Sequence, residues 1–117
     1  TVVLNPDGSL EPLDVLRQSG HALTQTNLNI QTHPIQAIVE DPLWQNILHA
    51  STSLCAQCNA CELKKACGGG DLTQRYHPKN GYDNPSVYCS DYKLIFSHLR
   101  TRLSTMTNRK EFALDTL

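Results

Sequence analysis

Apolar and polar positions fall into blocks along this chain, and the blocks predict its elements in order. Val2–Leu4 and Leu10–Leu13 are short apolar runs flanking Asn5-Pro6-Asp7-Gly8-Ser9, whose Pro and Gly supply turn dihedrals. A β-hairpin therefore opens the chain over residues 1–17. Residues 18–32 are polar and aperiodic, with one short extended piece at Leu28–Ile30. Ile35, Ile38 and Val39, then Leu43, Ile47 and Leu48, recur at helical spacing and predict two short helices within residues 33–51. Pro34 and Pro42 each suit a first helical position, Asp41 suits the N-cap of the second helix, and Trp44 is expected in the core. Periodicity then stops. Residues 55–89 are rich in Gly, Pro and Asn, and an irregular stretch of that length needs something other than secondary structure to order it. Helical spacing resumes after Ser90, another good N-cap. Tyr92, Ile95, Phe96, Leu99 and Leu103 form the apolar stripe of an amphipathic helix over residues 90–105, and a frayed tail is expected from Thr107. The fold class predicted is a small α+β domain: N-terminal hairpin, two short helices, an irregular cysteine-rich loop region and a C-terminal amphipathic helix.

Composition changes that picture in one respect. The 117 residues are one domain's worth, but apolar residues make up 39% and aromatics only 6%, so the core must be thin. A metal or cluster staple would help a domain of this kind. The net charge of −1 argues against a nucleic-acid partner. The charge is uneven, with −4 over residues 1–50 and +3 over the rest. Arg100, Arg102, Arg109 and Lys110 read most simply as a solvated helix face. No apolar run approaches a membrane span and no signal-peptide pattern is present. The chain opens on Thr1, which suggests a fragment of a larger protein.

The candidate chemistry lies in the cysteines. "CAQCNACELKKACGGG", residues 55–70, packs Cys55, Cys58, Cys61 and Cys67 together, and Cys89 follows 22 residues after Cys67. Thiols this close in sequence converge on one point, whereas disulfides usually close longer loops, and five is an odd count. Metal ligation in a cytoplasmic protein is the expectation. Zinc and iron–sulfur clusters both accept four thiolates. A zinc ribbon would offer two C-x2-C knuckles, and Cys89 stands alone. Clustered cysteines plus one remote cysteine is a frequent pattern of [4Fe–4S] sites. Gly68, Gly69 and Gly70 would let backbone N–H groups approach the sulfides. Spacing leaves two ligand sets open. One is Cys55, Cys58 and Cys61 with Cys67 or Cys89, as in ferredoxins; the other is Cys58, Cys61, Cys67 and Cys89, with Cys55 free.

The stretch "CNACELKKACGGGDLTQRYHPKNGYDNPSVYC" resembles the SPASM domain, the C-terminal auxiliary-cluster domain of radical SAM peptide-modifying enzymes. "RYHPKNGYDNPSVYCSDY" is most similar to the maturases that crosslink ribosomal peptides into cyclophanes. The resemblance covers roughly residues 2–105 and implies that Cys58, Cys61, Cys67 and Cys89 bind one [4Fe–4S] cluster. The family's pattern is C-x2-C-x5-C-x3-C with a distant final Cys. Here Asp71 stands at the position of the fourth, and residues 1–54 contain no cysteine. Both departures remove ligands of the family's first auxiliary cluster, so a single cluster is expected. Asp71 is read as a solvated or capping residue, because a hard carboxylate suits iron–sulfur sites poorly.

Other residues carry weaker signals. His77 is read as a hydrogen-bonding surface histidine, and Arg75 as either a substrate or cluster contact or a structural ion pair. Asn80-Gly81 and Asn84-Pro85 read as turns returning Cys89 to the site. The C-x3-C-x2-C motif that binds the S-adenosylmethionine-cleaving cluster in the family is absent, so the chain by itself is not expected to be catalytic. The resemblance implies a radical SAM catalytic domain in cis, S-adenosylmethionine as that domain's cofactor, a ribosomally made precursor peptide as partner, and an auxiliary cluster serving electron transfer or substrate positioning. The alternatives are a structural zinc module of an interaction protein and a small ferredoxin-like carrier using Cys55.

Overall fold

The hairpin forms where expected. In the computed structural model, which describes residues 1–107, β1 (Val2–Leu4) pairs antiparallel with β2 (Leu10–Pro12) in the register Val2↔Pro12, Val3↔Glu11, Leu4↔Leu10. The Gly8 N–H donates to the Asn5 carbonyl at 2.9 Å. Gly8 takes φ +87°, and a Cβ there would stand 2.6 Å from Asn29 Oδ1. That close approach lets residues 28–30 lie along the turn. Leu10 N–H donates to Leu28 O at 3.0 Å and Ile30 N–H to Gly8 O at 2.8 Å, matching the extended piece read from the sequence.

All three residues of β2 are buried, including Glu11. The Arg17 guanidinium compensates that carboxylate, with Nε 2.8 Å from Oε2 and Nη2 also on Oε2. Arg17 lies on a 3₁₀ turn, Asp14–Gln18, and a second 3₁₀ turn spans His21–Leu23. Neither was predicted, because runs of three to five residues are too short to show a period. The helices α1 (Ala37–Glu40) and α2 (Pro42–Thr52) follow. Asp41 is extended, so it ends α1, and its carboxylate accepts from Leu43 N–H at 2.9 Å to cap α2, with Pro42 at the first helical position. Pro34 lies a turn ahead of α1, accepting from Ala37 N–H at 2.9 Å, so the first helix starts later than the proline suggests. Trp44 is half-buried.

The chain divides into two compact units, the second beginning at Leu54, one residue before the first cysteine. In the first unit the largest fully buried side chains are Leu10, Leu16, Ile38, Thr24 and Pro12. The second unit contributes none of these; among the described residues its buried ones are Cys55, Leu63, Gly69, Arg75, Tyr82 and Ser86. Its cysteine segment, expected to be irregular, contains three single-turn helices: α3 (Ala56–Asn59), α4 (Lys64–Cys67) and α5 (Leu72–Arg75).

The long helix α6 (Cys89–Met106) then begins one residue before Ser90, with Tyr88 as its cap residue. The capping hydroxyl belongs to Ser86, which accepts from Tyr88 N–H at 3.1 Å while its carbonyl accepts from Cys89 N–H at 3.0 Å. On the expected apolar stripe, Tyr92, Phe96 and Leu103 are half-buried, whereas Ile95 and Leu99 are exposed. Among the described residues no helix is long and apolar enough to cross a membrane. The tail beyond Thr107, with Arg109 and Lys110, lies outside the described residues.

Candidate metal centre

Four cysteines meet at one cavity of about 40 Å³ in the second unit. Cys58 comes from α3, Cys61 from the turn after it, Cys67 from the last position of α4 and Cys89 from the first position of α6. Leu63, Gly69 and Tyr92 complete a largely apolar lining, and Lys64 and Lys93 also border it. Cys55 is buried but does not line the cavity. Its thiol hydrogen-bonds that of Cys58. Burial pushes the Cys58 thiol up to about 11, and the hydrogen bond to Cys55 and the nearby Cys55, Cys89 and Cys67 thiols push in the same direction. These neighbours disfavour ionisation of the Cys58 thiol, an effect that a bound cation would reverse.

The glycine run turns the chain beneath the cavity. Gly68, Gly69 and Gly70 all have positive φ, at +63°, +86° and +79°. Gly68 ends α4 in the left-handed conformation, its N–H donating to Lys64 O at 2.8 Å. At Gly69 a Cβ would come within 2.6 Å of Leu54 Cδ2, and at Gly70 within 2.8 Å of Ser86 Cβ. At Gly70 only hydrogen lets the chain leaving α4 pass this close to Ser86, whereas at Gly69 the neighbour is the end of the Leu54 side chain.

Hydrogen bonds order the long insert between Cys67 and Cys89. Asp71 does not line the cavity. Its carboxylate accepts from the Thr73 hydroxyl at 2.7 Å and the Thr73 N–H at 2.9 Å, capping α5. Those two bonds hold its carboxyl below the usual carboxylate range. Gln74 links α5 to α6: its side-chain oxygen accepts from Ser86 Oγ at 2.9 Å and from the Tyr92 hydroxyl at 2.8 Å, and its carbonyl accepts from Val87 N–H at 2.9 Å. Nothing in a single sequence distinguishes this glutamine from a surface one. Arg75 is buried and donates from Nη2 to Tyr82 O at 3.1 Å; it too is absent from the cavity lining. Asn84 donates to Arg75 O at 3.0 Å and to Gly81 O at 3.1 Å. His77 is exposed, pairs with Gly81 and accepts from Lys79 N–H through Nδ1 at 3.1 Å, so it shapes the loop. Tyr76 and Tyr82 pack with ring centroids 5.3 Å apart.

A ring of soft sulfur donors suits zinc or an iron–sulfur cluster. Leu63 N–H already donates to Cys61 Sγ at 3.4 Å, a bond that favours the thiolate form of a ligand. A single zinc ion with thiolates at about 2.3 Å would draw the sulfurs to about 3.8 Å of one another. Among the described residues no three His, Cys, Asp or Glu side chains are gathered as one metal ion requires. Comparison of the chain with protein-family models, curated proteins and solved structures finds no match to any of them.

Proposed function

We propose that this chain is the auxiliary [4Fe–4S] domain of a cytoplasmic radical SAM peptide maturase. Its ligands are Cys58, Cys61, Cys67 and Cys89, and the catalytic domain that cleaves S-adenosylmethionine lies elsewhere in the same protein. The substrate is a ribosomally made precursor peptide whose side chains become crosslinked to an aromatic ring. The observation that carries this reading is the lining of a single cavity by those four cysteines, drawn from 32 residues of chain, with Cys55 outside it. A polynuclear cluster holds its thiolates further apart than one ion does, which favours it over zinc for thiols spread around a cavity. A cluster capped by four thiolates supplies electron transfer or structural support rather than an open iron for substrate.

The chain's own residues provide the setting. Apolar Leu63 and the Tyr92 ring limit water at the thiols. Lys64 and Lys93 bring positive charge to an anionic site, and the Leu63 N–H satisfies Cys61. Gln74 and Ser86 fix the start of α6 and with it Cys89.

Anaerobic reconstitution with iron and sulfide tests the proposal. The expected product is brown, with about four iron and four sulfide per chain. Alanine at Cys58, Cys61, Cys67 or Cys89 abolishes loading, whereas Cys55→Ala retains it. Loss of the cluster in Cys55→Ala together with its retention in Cys67→Ala would sink this ligand set. A colourless protein with one tightly bound zinc would sink the cluster.

A further inference from the structure

The helix α6 carries a row of apolar side chains that the thiol cavity does not use. Ile95, Leu99 and Met106 are 51%, 45% and 77% exposed, and Tyr88, the cap residue, is 52% exposed. At about 100° per residue the three helical ones fall within about 40° of one another. Tyr88 stands seven residues before Ile95, the spacing that continues the row. That row is a palindrome. Ile95 and Leu99 stand two residues either side of Ser97, and Tyr88 and Met106 stand nine either side. Turned end for end about Ser97, the row superimposes on itself. Two antiparallel copies therefore bring Ile95 against Leu99 and Tyr88 against Met106.

Charge fixes the direction. Asp91, six residues before Ser97, and Arg102, five after it, are both exposed and flank the row on the same side. Antiparallel pairing sets each Asp91 beside Arg102 of the other copy, giving two ion pairs. Parallel pairing would oppose Asp91 to Asp91 and Arg102 to Arg102. Among the described residues neither of them is in a salt bridge. We propose that this face of α6 binds a second copy of the chain, forming a two-fold symmetric dimer through antiparallel α6 helices. Cys89 and Lys93, which line the cavity, lie more than about 100° round the helix from Ile95, so pairing leaves the cavity uncovered. The dimer is thus independent of what the cysteines hold. One pair of helices falls at the low end of interface size, so half-dissociation is expected on the order of 10 µM.

Sedimentation equilibrium of the full chain, metal-free and in a reducing buffer of low ionic strength, tests the proposal. The reductant keeps intermolecular disulfides out of the result. A reversible monomer–dimer equilibrium is expected between about 1 and 500 µM. Ile95→Glu or Leu99→Glu should weaken it at least tenfold, with the helical circular dichroism unchanged because both side chains are already exposed. Leu94→Glu, at a residue 73% exposed and about 100° off the row, should leave it unchanged. Asp91→Arg and Arg102→Asp should each weaken association about tenfold, and the two together should restore it. A chain that stays monomeric throughout overturns the dimer and leaves the face to a different partner. Association that survives both Ile95→Glu and Leu99→Glu, or that proceeds to larger species, also overturns it. Single charge reversals without effect would overturn the antiparallel arrangement, since parallel pairing only exchanges one like-charge pair for another.

Discussion

Cys58 is the residue on which the site's electrostatics converge. Its thiol sits at about 11 instead of 9.0, chiefly through burial and then through Cys55 and the other nearby thiols. Alkylation requires the thiolate, so in the metal-free chain the rate at Cys58 should keep rising towards pH 11. A rate that levels off near pH 9 contradicts this. The same shift has a sign for stability. A thiol that holds its proton more tightly folded than unfolded contributes stability that is complete below pH 9 and lost as pH rises towards 11. The denaturation midpoint of the metal-free chain should therefore fall across that window, and the fall should shrink in Cys58→Ser. Asp71 illustrates a different kind of residue-scale result. A sequence can register an aspartate where a cysteine was expected and prefer a cap to a ligand. The Thr73 bonds then identify what is capped.

At the scale of elements, the glycine run and the start of α6 are one construction. Gly68→Ala meets nothing within 4 Å and incurs only the left-handed backbone cost, about 1–2 kcal/mol. Gly69→Ala also presses on Leu54 Cδ2, the end of a side chain that can turn away. Gly70→Ala presses on Ser86 Cβ, which cannot, and should cost about 3 kcal/mol or more in total. Urea denaturation should rank the three in that order, with Gly70→Ala also impairing cluster loading because Ser86 caps the helix that carries Cys89. Equal losses at all three would show that backbone conformation alone matters. The elements themselves were unequally legible. The hairpin, α2 with its Asp41 cap, and the long final helix carry turn residues or several turns of periodicity. The 3₁₀ turns and α3, α4 and α5 do not, since four residues complete barely one turn and leave no repeat to detect.

At the scale of the molecule, the two units are built on different principles. The first has a small apolar core around Leu10, Leu16 and Ile38. The second is organised by hydrogen bonds around a thiol-lined cavity, so a group bound there would contribute directly to its folding. Hydrogen exchange should accordingly slow across residues 55–92 on cluster loading, and not in Cys67→Ala. Unchanged exchange in the loaded wild type would mean that the cavity is ordered without its cluster.

The sequence by itself determined the hairpin, the caps and turns that follow from Pro, Gly and Asp chemistry, and the presence of a thiol-rich centre, because these depend on local dihedrals and residue type. It left two sets of cysteines open. Only the tertiary structure decided which four face one cavity. That outcome depends on where α6 begins and on the Ser86–Gln74–Tyr92 contacts that bring Cys89 back across 22 residues, and spacing along a chain does not encode distances of that kind.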